Sequence, residues 1–183
     1  MLTRRSFFVA GAAFASGCSA AHPPVSPSSD DASALAALEA RVGGRVGVFA
    51  IDPDSGRSVA HRPDERFAMC STFKWTLAAA TLARVDRGEL TLDRELAYGE
   101  RDLLEYAPKT REHVARGRMS IEALADAAVT LSDNTAANLL LGVTGGPEGL
   151  TRFFRALGDS VSRLDRDEPT LNTNLPRDPR DTT

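Results

Sequence analysis

Apolar residues recur along this chain at two spacings, and the change between them divides it. From 34 to 42 (ALAALEARV) alanine and leucine follow a helical period. Ser33 can cap that helix, and Gly43-Gly44 ends it. Residues 45–52 (RVGVFAID) alternate in part and predict a strand. Pro53-Asp54-Ser55-Gly56 is turn sequence, and 57–62 (RSVAHR) returns as a second strand, giving a hairpin. After Ser71 strand signals almost vanish. Residues 71–85 (STFKWTLAAATLARV) are apolar nearly all round after the first turn, the pattern of a centrally buried helix, and Gly88 closes it. Ser120 caps a predicted helix running to Ala128, a second covers 134–141, and Gly145-Gly146-Pro147 opens a third over 148–157. Beyond Gly158 the chain is polar, rich in Arg and Pro, and irregular, as functional or disordered segments are. The order is helix, hairpin, block of helices. A hairpin needs further strands or a packing partner, and no later strand is read, so the sheet is expected to be incomplete within these residues.

Composition narrows the function. The 183 residues suit one domain or a large piece of one, and 42% apolar with 26% charged is ordinary for a globular protein. A net charge of -3, with arginines scattered among Asp and Glu, argues against nucleic-acid binding. His22, His61 and His113 lie far apart, and there is no zinc spacing, glycine-rich phosphate loop or repeat. No metal and no other cofactor is expected.

The N-terminus differs in kind. MLTRRSFFVAGAAFASGCSAAHPP has a basic start, an apolar middle and small residues at its end, an export signal over 1–21. Arg4-Arg5 followed by Ser6-Phe7-Phe8 resembles the twin-arginine type. Ala15-Ser16-Gly17-Cys18 resembles a lipoprotein box, with Ala15 where leucine is usual. Lipidation at Cys18 and plain cleavage near Ala20 or Ala21 both stay open. The apolar run is too short to span a bilayer, whereas an acyl chain on Cys18 would hold the protein at a membrane surface. Residues 22–32 read as a Pro/Ser/Asp linker, and 33–183 as the catalytic domain. The expected location is the periplasm, the exterior or the outer face of the cell membrane.

Candidate chemistry begins at MCSTFKW, residues 69–75. Only two of the 22 basic residues are lysines, Lys74 and Lys109. A lysine, unlike an arginine, can lose its proton when buried, and can then act as a base. Ser71 and Lys74 are one helical turn apart and share a face. A serine at a helix start lies near unpaired N–H groups and the positive dipole end, which favours a developing alkoxide. A capping serine with a snorkelling lysine would explain the pair equally well. Leu131-Ser132-Asp133-Asn134 is good turn sequence, and it also offers a hydroxyl to pass a proton and an amide for a carbonyl. Residues 163–172 (RLDRDEPTLN), with Asp178 and Asp181 beyond, offer Glu168 and Asn172 to hold and activate a water that would release an acyl intermediate. A mobile acidic loop is the plainer alternative.

These stretches, in this order and with flanks such as LLEYAP, GGPEGLTRF and DPRDTT, resemble the class A serine β-lactamases from about Leu35 to Thr183. The resemblance implies an α/β sheet plus an all-helical domain, incomplete here, with the active site between them. It implies Ser71 as nucleophile, Lys74 as its partner, Ser132 as proton shuttle and Glu168 as deacylating base with Asn172 helping to hold the water. Asn134 would contact the substrate's side-chain carbonyl, Tyr106 would form an aromatic wall at the rim, and Arg166 with Asp181 would pin the loop neck. β-Lactam antibiotics are the implied partners, and a monomer is expected. Cys70 is expected to be a buried small residue, or half of a bridge whose other half is missing.

One family element, Lys-Thr-Gly on a strand, does not occur in these residues. It would supply a second oxyanion donor and a basic wall for the substrate carboxylate, so poor folding and little activity are expected of the 183 residues alone. A penicillin-binding peptidase or a β-lactam sensor without turnover shares the serine and lysine but needs no deacylating glutamate. A scaffold with coincidental motifs is the remaining alternative.

Overall fold

The computed structural model describes residues 29–175 and 177–183. The export signal, Cys18 and most of the linker lie outside the described residues. The chain divides into two compact units, 1–63 and 64–183.

In the first unit, helix α1 (Ser29–Val42) packs on an antiparallel pair, β1 (Val48–Ile51) and β2 (Ser58–His61), with Val48 opposite His61 and Ile51 opposite Ser58. The helix starts before Ser33, inside the stretch read as linker. Ser and Asp suit a helical first turn as well as a linker, because negative charge is favoured there. Glu39 ties the unit together. It accepts from Arg62 Nε and Nη2, both at 2.7 Å, and from the Val46 amide, and it faces His61 Nε2 at 2.9 Å. The Arg62 hydrogen bonds, then His61, hold its carboxyl far below the usual carboxylate range. Phe49 and Ile51 are exposed, as expected of a hairpin without further strands.

The second unit is built on helices. They are α2 (Phe73–Asp86), α3 (Pro108–His113), α4 (Ile121–Thr130), α5 (Asn134–Thr144) and α6 (Gly146–Ala156). α5 packs against α2, α4 and α6, and its buried face of Ala136, Ala137, Leu140 and Leu141 meets Phe73 and Leu77 of α2, Leu124 of α4, and Leu150 and Phe154 of α6 in one core. The two small alanines let neighbouring helices approach closely. The Ser120 hydroxyl accepts from the Ala123 amide, so the expected cap of α4 is present. At the α5–α6 junction a Cβ on Gly149 would lie 2.2 Å from the Thr144 carbonyl oxygen, so only glycine admits this close turn.

Three readings need correction. Strands β3 (Glu95–Ala97) and β4 (Arg118–Ser120) form a second antiparallel pair, where no later strand was expected. At three residues each they are too short to show a period, and the partners lie far apart in sequence. Helix α3 was not read either, being a single short stretch behind a proline. Helix α2 is preceded by a 3-10 turn (Cys70–Thr72), and it is not buried all round: Trp75 is 63% and Leu82 47% exposed.

Because Leu140 is fully buried at the centre of the core, Leu140→Ala should lower the unfolding free energy by roughly 2–5 kcal/mol. Leu82→Ala should stay within about 0.5 kcal/mol. Urea titrations of the two variants check this, and equal losses would show that the core is not centred on α5.

Candidate active site

Ser71 sits in the 3-10 turn that leads into α2, exposed, while Lys74 one turn later is 2% exposed. Burying an ammonium is costly unless oxygens replace its water. The fold supplies five. Lys74 Nζ donates to Ser71 Oγ (3.1 Å), Ser132 O (2.9 Å), Ser132 Oγ (3.0 Å) and Asn134 Oδ1 (2.6 Å), and Glu168 Oε1 lies 2.9 Å away. The Glu168 contact is ionic, for that oxygen receives no aligned hydrogen bond. An ammonium has three N–H groups. Five oxygens compete for them.

Two aspartates bring the oxygens to Lys74. Asp133, fully buried, accepts from the Lys109 and Thr110 amides, the Thr110 hydroxyl and the Ala136 amide. It caps α5 and fixes the turn in which Ser132 takes φ +56, a left-handed conformation that points both its carbonyl and its hydroxyl at Lys74. Asn134 follows, and its amide donates to the Tyr106 carbonyl at 3.0 Å. Tyr106 itself is 57% exposed beside this turn.

Asp181, also fully buried, closes the neck of the 163–183 loop. Its carboxylate accepts from the Asp165 and Arg166 amides and from Arg166 Nε at 2.6 Å. Its carbonyl accepts from the Met69 amide at 2.8 Å, and Thr183 exchanges backbone hydrogen bonds with Phe67. The loop is thereby stitched to the segment that enters the nucleophile turn. Within the loop Glu168 is held at both ends. Asn172 Nδ2 donates to its Oε2 at 2.7 Å, while Asn138 on α5 accepts from its amide and donates to its carbonyl.

The structure thus gathers Ser71, Lys74, Ser132, Asn134, Glu168 and Asn172 at one place, pairs Arg166 with Asp181, and leaves Tyr106 exposed next to Asn134. Cys18 lies outside the described residues. Cys70 corrects an expectation: it is an exposed free thiol. Its φ of +42 turns it out of the core, which Met69 and Phe73 fill on either side. Sequence reading missed Asn138 and the anchoring role of Asp133. The signal for Asn138 was present, since an amide amid AANLLL stands one turn beyond Asn134 on the same face.

The sequence model of the "Beta-lactamase enzyme family" matches residues 31–183. The chain belongs to that family. It is 47% identical to β-lactamase L2 of Stenotrophomonas maltophilia over 195 aligned residues, which cover 100% of the chain and 64% of that relative. Among solved structures, the ancestral GNCA class A β-lactamase is 57% identical with a TM-score of 0.82, over 84% of this chain and 58% of that one. A β-lactamase from Burkholderia vietnamiensis is 56% identical with a TM-score of 0.81, over 84% and 56%. These neighbours place the chain with the class A β-lactamases. It spans about three-fifths of the length of these relatives.

The loop neck also carries a pH dependence. Arg163 hydrogen-bonds Asp165 and holds its carboxyl below the usual range, and Arg180 holds Asp178 at about 2. Carboxylates with depressed folded pKa values stabilise the fold above their unfolded pKa of about 3.9, and the contribution is lost as pH falls through the folded values. Hydrogen exchange of 163–183 should therefore be flat from pH 8 to 5, after correction for intrinsic rates, and accelerate between about 4 and 2. Acceleration already near neutral pH would count against these pairs. Asn138→Ala removes both hydrogen bonds to the Glu168 backbone and should cost about 1–3 kcal/mol, measured by urea unfolding. A change below about 0.3 kcal/mol would show that the clamp is dispensable.

Proposed function

We propose that the chain carries the acylation and deacylation residues of a serine β-lactamase, which opens the lactam ring of penicillins and cephalosporins and so confers resistance to them. One observation carries the reading: a single buried lysine nitrogen lies within 3.1 Å of Ser71 Oγ, Ser132 Oγ and Glu168 Oε1, linking nucleophile, shuttle and base through one proton-carrying group.

In this reading Ser71 Oγ attacks the lactam carbonyl while its proton passes to Lys74 in its neutral amine form, or to Glu168 through a water. The developing oxyanion meets the Ser71 N–H at the start of the nucleophile helix. The C–N bond breaks, and Ser132, hydrogen-bonded to Lys74, delivers a proton to the lactam nitrogen. The acyl-enzyme remains on Ser71. Glu168 then takes a proton from a water held with Asn172. That water attacks the ester carbonyl, and Ser71 leaves and is reprotonated. Asn134 receives the substrate's side-chain carbonyl, Tyr106 walls the rim, and the Arg166–Asp181 pair keeps Glu168 in place. The Glu168–Asn172 contact at 2.7 Å supports hydrolysis over permanent acylation, since a peptidase or sensor needs no water activator. Export to the periplasm, the exterior or the outer face of the cell membrane, with either lipidation at Cys18 or plain cleavage near Ala20 or Ala21, and the enzyme acting as a monomer, completes the proposal.

Intact mass of the chain, followed over time with benzylpenicillin, tests it. The parent should gain and then lose a penicillin-sized adduct, Ser71→Ala should gain none, and Glu168→Ala should gain one that persists. An adduct on Ser71→Ala like that on the parent, or one on Glu168→Ala that decays as fast as the parent's, would sink the assignment. A parent adduct that never decays would favour the sensor reading.

A further inference from the structure

The rim segment that carries Tyr106 is braced from two sides. On the inner side the start of α5 holds it: the Thr135 hydroxyl accepts from the Leu104 amide at 2.8 Å and donates to the Asp102 carbonyl, and the Asn134 amide donates to the Tyr106 carbonyl. On the solvent side stands Arg111 of α3. Its Nη2 donates to the Leu104 carbonyl at 2.7 Å and, more weakly, to the Glu105 carbonyl at 3.4 Å. The guanidinium thus directs donors at two consecutive backbone carbonyls, immediately before an aromatic residue that is 57% exposed. An exposed ring has few packing contacts to fix it, so its position follows its backbone.

We infer that Arg111 is a positioning residue for Tyr106, and that through it Arg111 sets how tightly the site grips a β-lactam before acylation. The second half rests on the function proposed above. α3 is well placed to transmit the constraint. The Arg111 amide bonds the Ala107 carbonyl, and the helix is anchored from below by Asp133 through the Lys109 and Thr110 amides. Without the guanidinium, the Leu104 and Glu105 carbonyls return to water and the segment gains freedom that substrate binding must remove. The loss falls on binding, because Arg111 touches none of the groups around Lys74.

The chain has two tyrosines, which makes the test residue-resolved. With 3-fluorotyrosine in the full chain, one fluorine signal belongs to exposed Tyr106 and the other to Tyr98, which is 6% exposed and donates its hydroxyl hydrogen to the Thr110 carbonyl of α3. Arg111→Met keeps the aliphatic stem and removes the donors. It should move or narrow the Tyr106 signal and leave Tyr98, the reporter of an intact α3, unchanged. The half-saturating benzylpenicillin concentration for acylation should rise about threefold to tenfold, with the limiting acylation rate unchanged. Arg111→Lys, which keeps a donor and the charge, should restore both readouts at least in part. An unmoved Tyr106 signal in Arg111→Met overturns the inference. So does a fall confined to the limiting rate, or a lysine variant that restores binding while Tyr106 keeps the methionine signal, since the contribution would then be charge alone. If the parent forms no adduct, the fluorine signals alone decide whether Arg111 positions Tyr106.

Discussion

One buried ammonium organises the second unit. Lys74 is closed off from water within a helical core, and a cation there is tolerable only if the protein supplies its solvation. Three separate stretches of chain do so: the turn of Ser71, the turn of Ser132 and Asn134, and the loop of Glu168. None of them is close to the other two in sequence. Their convergence makes the site, because the groups that solvate the lysine are also those that would exchange protons with it. A buried ion pair of this kind is a weak contributor to stability, yet losing one partner is expensive. The arrangement therefore demands accurate placement of every contributor.

Accuracy comes from carboxylates that take no part in the chemistry. Asp133 and Asp181 are both fully buried, and each collects backbone and side-chain donors at the base of a catalytic segment. Asp133 fixes the left-handed turn at Ser132 and the first turn of α5. Asp181 fixes the loop neck and, through its own carbonyl, the Met69 amide just before the nucleophile turn. The Asn138 clamp adds a third tie, from the middle of α5 to the Glu168 backbone. Ser71, Lys74, Ser132 and Asn134 are thus carried at the starts of α2 and α5, and the loop that carries Glu168 is tied down at its neck by Asp181 and at Glu168 itself by Asn138. Supporting contacts of this kind are how a fold preorganises a set of side chains.

The first unit follows simpler rules. Glu39 with Arg62 and His61 joins helix to hairpin, and Phe49 and Ile51 remain in solvent. In the second unit, Trp75 and Leu157 are similarly exposed beside an apolar cavity that Phe153 and Phe154 also line.

Long periodic segments were legible from sequence because local pattern decides them. Helices α2, α4, α5 and α6, the hairpin at 48–61, the cap at Ser120 and the break at Gly145-Gly146 all follow from spacing and turn chemistry. The pairing of Ser71 with Lys74 was also legible, since a scarce lysine one turn after a serine is a local signal. What sequence could not decide was anything set by contacts between distant segments. Strands β3 and β4 exist because they pair with each other, α1 extends where composition suggested a linker, and Cys70 is turned outward by a backbone angle that no propensity specifies. Asn138 became part of the site only when the loop came to rest on α5. Local sequence fixes which groups are available; only packing brings five oxygens to within 3.1 Å of one nitrogen, because that distance is the product of three chain segments whose separation in sequence carries no energy until they fold.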